Sequence, residues 1–251
     1  MRFAPSPHRR STFNHNRPLK AAVIRFPGSN CDQDCHLALT ELGVATDYAW
    51  HKDSSLAGYD FVVLPGGFSY GDYLRCGAIA RFSPIMQAVK AHAESGKLLL
   101  GICNGFQILC EAGLLPGALI RNRDLHFLCE HRWLRVENVA NPFLHECRTG
   151  QLLHLPIAHG EGSYVADDAT LRELNLRDRV LLRYAGENGT VDPGTNPNGS
   201  AENIAGICNA ARNVFGLMPH PERACDARLG STDGRFIFES ILATLGARKA
   251  A

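Results

Sequence analysis

KLLLGICNGFQ, residues 97–107, carries an apolar run straight into a cysteine set between glycines, and the chain turns helical again from Asn104. An apolar run closed by glycine and followed at once by helical periodicity reads as a buried strand feeding a helix, the βα step of a parallel sheet. Its centre, Gly101-Ile102-Cys103-Asn104-Gly105, is a G-x-C-x-G, a nucleophile elbow with sulfur in place of oxygen. A nucleophile on so tight a turn needs neighbours without Cβ atoms, and the helix N-terminus behind it favours thiolate over thiol. Most cysteines in apolar runs are packing residues, and Cys110, Cys129 and Cys208 are read that way. The flanking glycines and the strand-to-helix setting single out Cys103 as a nucleophile.

Upstream of the elbow the same alternation repeats. Strands are expected at 21–26, 44–50 and 61–64, the last apolar throughout, as in a strand covered by helices on both faces. Asp32 suits the N-cap of a helix that Gly43 ends, and a second helix is expected from Ala78 to Ser95. Downstream the pattern is less regular, with strands expected at 131–136, 152–158, 180–184, 204–209 and 214–218, a surface loop at 189–200 and a final helix at 234–245. The fold class is therefore α/β, with a central, mostly parallel sheet, antiparallel additions in the second half and a flavodoxin-like, three-layer arrangement.

A thiol nucleophile needs a base, and the base needs a group that fixes its tautomer. His220 and Glu222 offer both in Leu217-Met218-Pro219-His220-Pro221-Glu222, where the prolines favour an extended segment that would place residues i and i+2 on one side. Alone, a His-x-Glu is weak evidence; its weight comes from the elbow. Leu64-Pro65-Gly66-Gly67-Phe68 adds a glycine turn after another buried strand. Backbone N–H groups at Gly67 and Asn104 would together make an oxyanion hole.

Composition excludes several other classes. Lys plus Arg number 26 against 25 for Asp plus Glu, so there is no field of one sign to attract nucleic acid or a membrane surface. No stretch approaches the roughly 20 apolar residues that span a bilayer. Nine cysteines without a CxxC pair suggest a reducing compartment, and a cytoplasmic location is expected. Neither GxxxxGK[ST] nor a GxGxxG after a strand is present, so no nucleotide loop is expected on this chain. His145, His154 and His159 lack a metal-ligand spacing, and no metal is expected from them. Residues 1–20 hold five basic residues, three prolines and no acid, and are expected to form a flexible basic extension before a domain at 21–251. Their Arg-rich composition also suits a transit peptide or a misassigned start. The sequons at Asn188 and Asn198 are expected to be chance matches in loops.

Taken together, VIRFPGSNCD (23–32), LPGGFSYGDYLRCGAIARF (64–82), GICNGFQI (101–108), AHGEG (158–162) and MPHPER (218–223) resemble the class I, triad-type glutamine amidotransferases. Within that class they are most similar to the family of glutaminase subunits of phosphoribosylformylglycinamidine synthase. The resemblance covers residues 20–247. It implies glutamine hydrolysis by Cys103 as nucleophile, His220 as base and then acid, and Glu222 as orienting carboxylate, with Gly67 and Asn104 in the oxyanion hole. It also implies that Gln107, His159, Gly160 and Glu161 help hold glutamine. The ammonia would pass to an ATP- and Mg-dependent synthetase on another chain, in a complex with a large synthetase subunit and a small bridging subunit, for purine biosynthesis.

Overall fold

In the computed structural model, which describes residues 18–250, the chain runs β1 (Lys20–Arg25), α1 (Asp32–Glu41), β2 (Ala45–Trp50), β3 (Phe61–Leu64), α2 (Ile85–Glu94), β4 (Leu98–Ile102) and α3 (Asn104–Glu111). It continues through β5 (Ala118–Ile120), β6 (Leu128–Val136), β7 (Leu152–His159), β8 (Ser163–Val165), α4 (Asp168–Leu176), β9 (Val180–Ala185), β10 (Ile204–Cys208), β11 (Val214–Leu217) and α5 (Arg235–Ala250). Nine strands form one sheet in the order β2-β1-β3-β4-β11-β10-β9-β6-β7, while β5 and β8 pair separately. Pairing from β2 through β11 is parallel. From β11 to β7 it is antiparallel. This is the expected mixed α/β sheet, with its antiparallel part drawn from the second half of the chain.

The strand chemistry follows position. β3, β4 and β11 are buried at every residue, as continuous apolar runs require in the middle of a covered sheet. The edge strand β7 alternates half-buried and buried residues and so turns only one side to the core. Parallel strands β1, β3, β4 and β11 end at one edge of the sheet, and the loops that leave them meet there.

Several boundaries differ from expectation for identifiable reasons. The helix expected at 78–95 is broken: a 3-10 turn, Ala80–Phe82, gives way at Ser83, whose ψ of 142° precedes Pro84, and α2 starts only at Ile85. A residue before proline is driven out of the helical region. Asp32 is the first helical residue of α1 rather than its cap, and its carboxylate pairs with the Arg25 guanidinium; the capping position is Cys31. Cys129, expected to be buried, is exposed on β6. The loop at 189–200 is half-buried over much of its length and exposed only at residues 190 and 192–194, while Asn198 and Ser200 are buried and Asn198 donates from Nδ2 to Gly162 O at 2.8 Å. Helix α4 and the small β5–β8 sheet were not expected, although Asp167 caps α4 by accepting from the Thr170 N–H at 2.7 Å.

Residues 1–17 of the expected basic extension lie outside the described residues. Its last two residues belong to the domain, because Leu19 packs on the core and accepts from the Ala45 N–H at 3.3 Å, and Lys20 opens β1. No helix among the described residues is long and apolar enough to cross a membrane.

Candidate active site

Cys103 stands between β4 and α3 with φ 50° and ψ −107°, a conformation that costs energy for any residue with a Cβ. The turn is held in place from several sides. The Cys103 N–H donates to Leu217 O at 2.8 Å, and the Cys103 carbonyl accepts from the N–H groups of Phe106 and Gln107. The flanking glycines are required by close approach: a Cβ on Gly105 would run into Leu64 O, and one on Gly101 would stand 2.5 Å from Leu109 Cδ1. The N–H of Asn104, in the first turn of α3, has no acceptor within its own helix.

The base arrives from the neighbouring strand. β11 pairs in parallel with β4, Leu217 opposite Ile102, so the chain leaves both strands at the same edge. His220 Nδ1 lies 2.6 Å from Glu222 Oε1, with His220 1% and Glu222 3% exposed. The segment between them is not extended, as expected from the prolines, but a 3-10 turn, Pro221–Arg223, with Pro221 at its first position. Proline's fixed φ suits the start of a helical turn, and the turn carries Glu222 back to the imidazole. The His220 N–H donates to Pro156 O at 2.8 Å, which ties the turn to β7.

Burial alone would depress the pKa of His220, but the Glu222 carboxylate and the Cys103 and Cys31 thiols outweigh it and hold the imidazole well above its ordinary range. The Cys103 thiol lies beside the ring and directs its hydrogen to Ala158 O at 3.7 Å. His220 Nε2 has no hydrogen-bond partner among the described residues.

The glycine turn after β3 closes the third side. A Cβ on Gly66 would stand 2.8 Å from His220 Cε1, 3.1 Å from Cys31 Sγ and 3.3 Å from Cys103 Cβ, so only glycine fits among these side chains. Gly67 has φ 136°, and the next N–H, of Phe68, donates to Gly28 O at 2.9 Å. A relay of amides then links this turn to the loop after β7. The Ser69 N–H donates to Asn104 Oδ1 at 3.2 Å, Asn104 Nδ2 to Gln107 Oε1 at 2.8 Å, and Gln107 Nε2 to Glu161 O at 2.6 Å.

A cavity of about 210 Å³ opens beside the thiol, lined by Gly67, Phe68, Asp72, Cys76, Cys103, Gln107, Phe127, Ala158, His159, Gly160 and Glu161. Sequence reading placed all of these except Phe68, Asp72, Cys76, Phe127 and Ala158 at the site. Two carboxylates face this space, and burial together with repulsion from Glu161 raises the pKa of Asp72. Asp72 sits in a loop where Tyr70, Gly71, Asp72 and Leu74 all have positive φ. His159 is buried; Asn122 Oδ1, 3.1 Å from its Nδ1, also accepts from the Gly162 N–H, and burial and the charge of His220 push its pKa down to about 4. It is therefore a neutral imidazole whose Nε2 has no partner among the described residues.

Sequence reading missed Cys31. It follows the turn after β1 and is 3% exposed, with Arg223 Nη2 3.0 Å from its sulfur. Its signal was position: a cysteine just beyond the end of a parallel strand, at the edge where the elbow also emerges. The three histidines considered for a metal do not converge, since His154 stacks on Trp133, His145 sits beside Glu146, and His159 lines the cavity.

The sequence matches the CobB/CobQ-like glutamine amidotransferase domain over residues 18–234. It is 57% identical to phosphoribosylformylglycinamidine synthase subunit PurQ of Acaryochloris marina, over 92% of this chain and 98% of that one. The corresponding protein of Gloeobacter violaceus is 58% identical over 90% and 98%. Among solved structures, a chain of the PurLQS structure from Thermotoga maritima superposes with a TM-score of 0.81 at 45% identity, covering 91% of this chain and all of that one. A further glutamine amidotransferase from Thermotoga maritima shares the fold at 17% identity, with a TM-score of 0.54 over 93% of this chain and 94% of that one.

Proposed function

Because the chain belongs to the PurQ family, the glutamine amidotransferase subunits of phosphoribosylformylglycinamidine synthase, we propose that Cys103, His220 and Glu222 are the triad with which it draws ammonia from glutamine. The chain is an enzyme subunit of purine biosynthesis. The observation that carries the triad is the strained Cys103 at the β4–α3 junction with the His220–Glu222 couple delivered beside it by β11.

In this reading the raised pKa of His220 stores a proton on the imidazole, and the Cys103 sulfur is the attacking thiolate. It adds to the side-chain amide carbon of glutamine, and the carbonyl oxygen becomes an oxyanion facing the N–H groups of Gly67 and Asn104. The C–N bond then breaks as His220 gives its proton to the departing nitrogen, releasing ammonia. Water, deprotonated by His220, adds to the γ-glutamyl thioester, and the second oxyanion collapses to glutamate and the free thiolate. Glu222 holds Nδ1–H throughout and keeps the reactive nitrogen at Nε2.

The cavity is of a size for one amino acid. Asp72 and Glu161 are the anions available to its α-ammonium, and His159 and Gly160 shape its wall. Gln107 acts through the Glu161 carbonyl it holds rather than through glutamine directly. Ammonia goes to a large synthetase subunit that carries ATP and Mg, with a small bridging subunit in the same complex. The surface supports a partner at the cavity mouth: Phe68 and Phe127 line the cavity while remaining exposed, and Tyr73 (74% exposed) and Leu74 (92%) project from the Asp72 loop. A cytoplasmic complex suits nine unpaired cysteines.

The test is Cys103→Ala in the reconstituted complex. Glutamine-dependent synthesis should disappear while synthesis from free ammonium continues. A mutant that still uses glutamine would remove Cys103 from the mechanism.

A further inference from the structure

We infer that Arg223 and Cys31 are positioning residues for the oxyanion hole: together they hold the Gly66–Gly67 peptide so that the Gly67 N–H faces the cavity before glutamine arrives. This role rests on the triad and oxyanion-hole reading above.

The carbonyl of that peptide sets its orientation. Gly66 O accepts from the Cys31 N–H at 3.4 Å, and in a trans peptide the N–H points opposite to the C=O. The Gly67 N–H therefore turns away from the loop after β1. The pairing of that loop with the glycine turn agrees. Ser29 and Gly67 form an isolated antiparallel bridge whose bonds come from their neighbours, Phe68 N–H to Gly28 O at 2.9 Å and Cys31 N–H to Gly66 O. In a bridge of that kind the central residue's own N–H and C=O face outward. Outward for Gly67 is the cavity that it lines with Cys103.

One bond of 3.4 Å is a weak hold on a plane between two glycines, which rotates at little steric cost. The loop that makes the bond is anchored by a side chain from the triad turn. Arg223, the residue after Glu222, donates from Nη2 to Cys31 Sγ at 3.0 Å and from Nε to Asp34 Oδ2 at 3.0 Å. Its backbone N–H donates to His220 O at 3.2 Å. Cys31 directs its thiol hydrogen to Asn30 Oδ1 at 3.4 Å, and its sulfur stands 3.1 Å from where a Gly66 Cβ would lie. One guanidinium thus ties the start of α1, and with it the Cys31 N–H, to the segment that carries His220 and Glu222. It keeps the base and the oxyanion donor in register. The Arg223–Asp34 pair is part-exposed on both sides, and such pairs add little to stability, so its removal should disturb the register more than the fold.

The test uses the reconstituted synthetase complex. Arg223→Ala should lower the glutamine-dependent kcat by about ten- to a hundredfold, within the roughly 10² to 10³ that total loss of one oxyanion donor costs, and change KM by less than about threefold. An unchanged ammonium-dependent rate shows that the variant is folded and assembled. Arg223→Lys should lose nearly as much, because lysine keeps the charge but cannot span Cys31 and Asp34 at once, and it carries the test if the alanine variant does not fold. Cys31→Ser, which keeps an acceptor for Arg223, should retain more activity than Cys31→Ala. The losses in Cys31→Ala and Arg223→Ala should not add in the double variant. The oxyanion is read separately with glutamate γ-semialdehyde, the aldehyde counterpart of glutamine. Cys103 Sγ adds to its carbonyl carbon, the thiol proton passes to His220, and the resulting oxyanion sits in the hole with no group leaving. Affinity for the aldehyde should weaken by the same factor as kcat. A normal kcat in Arg223→Ala or Arg223→Lys overturns the inference, as does a kcat that falls while aldehyde affinity holds. Additive losses also overturn it, since Cys31 would then act on His220 without Arg223. Glutamine use and aldehyde binding that both survive Cys103→Ala would remove the triad reading, and this role with it.

Discussion

At the residue scale, the His220–Glu222 couple dominates the electrostatics of the site. The 2.6 Å contact is buried on both sides, so the carboxylate acts on the imidazole with little screening from water. Replacing Glu222 by Gln keeps the shape and a hydrogen-bonding group but removes the charge and the preference for Nδ1–H. In comparable triads that change costs about 10⁴-fold in turnover, and a fall of about 10² to 10⁴ in kcat with little change in KM is expected here. The pH profile separates this from simple damage. Since the carboxylate raises the His220 pKa, its loss lowers it, and the alkaline limb of kcat against pH should move to lower pH. A reduced rate with an unmoved alkaline limb would mean that Glu222 only shapes the loop. Sequence made Cys103, His220 and Glu222 legible because glycine spacing and strand ends are local signals. Cys31 and Asp72 were not legible, because their importance comes from which loops meet, and no local pattern states that.

At the scale of elements, three adjacent parallel strands deliver the three parts of the site: β3 the glycine turn, β4 the elbow and β11 the base. Two glycines in these turns do different work, and substitution should tell them apart. A Cβ on Gly105 would run into the backbone of Leu64, which cannot move without the β3 strand, whereas one on Gly66 would meet the side chains of His220, Cys31 and Cys103. Gly105→Ala is expected to destabilise the fold by about 1 to 3 kcal/mol or more, as overpacking does. Gly66→Ala should cost less stability and most of the glutaminase rate. Paired thermal melts and initial rates check this, and equal losses of both properties in both variants would refute the division. The parallel strands were readable because each is an uninterrupted apolar run. The break at Ser83-Pro84, the turn at Pro221 and helix α4 were misread or missed because one proline or one cap decided them against the surrounding periodicity.

At the scale of the whole molecule, burial of histidines couples folding to pH. His92, on α2, lies 3.1 Å from Leu98 O through Nε2, and burial pushes its pKa down to about 4. His159, in the wall of the cavity, is also held at about 4, by burial and by the charge of His220. Both start from 6.5 in the unfolded chain, so between pH 6.5 and 4 the unfolded state binds protons that the folded state refuses. Stability therefore rises with pH through that window and is lost as pH falls. At pH 5 the loss should be about 2 kcal/mol for each histidine, a large part of a domain stability of about 5 to 15 kcal/mol. His220 has the opposite sign. Its raised pKa contributes stability that is present in full below pH 6.5 and lost as the pH climbs toward the folded value, so it offers no relief from the acid loss. The measurement is urea unfolding at pH 7, 6 and 5 for the wild type and for His92→Gln, which keeps a donor for Leu98 O but cannot titrate. The variant should lose less stability between pH 7 and pH 5 by about 2 kcal/mol, the share of one histidine. Identical slopes for the two proteins would show that His92 is not kept neutral by the fold.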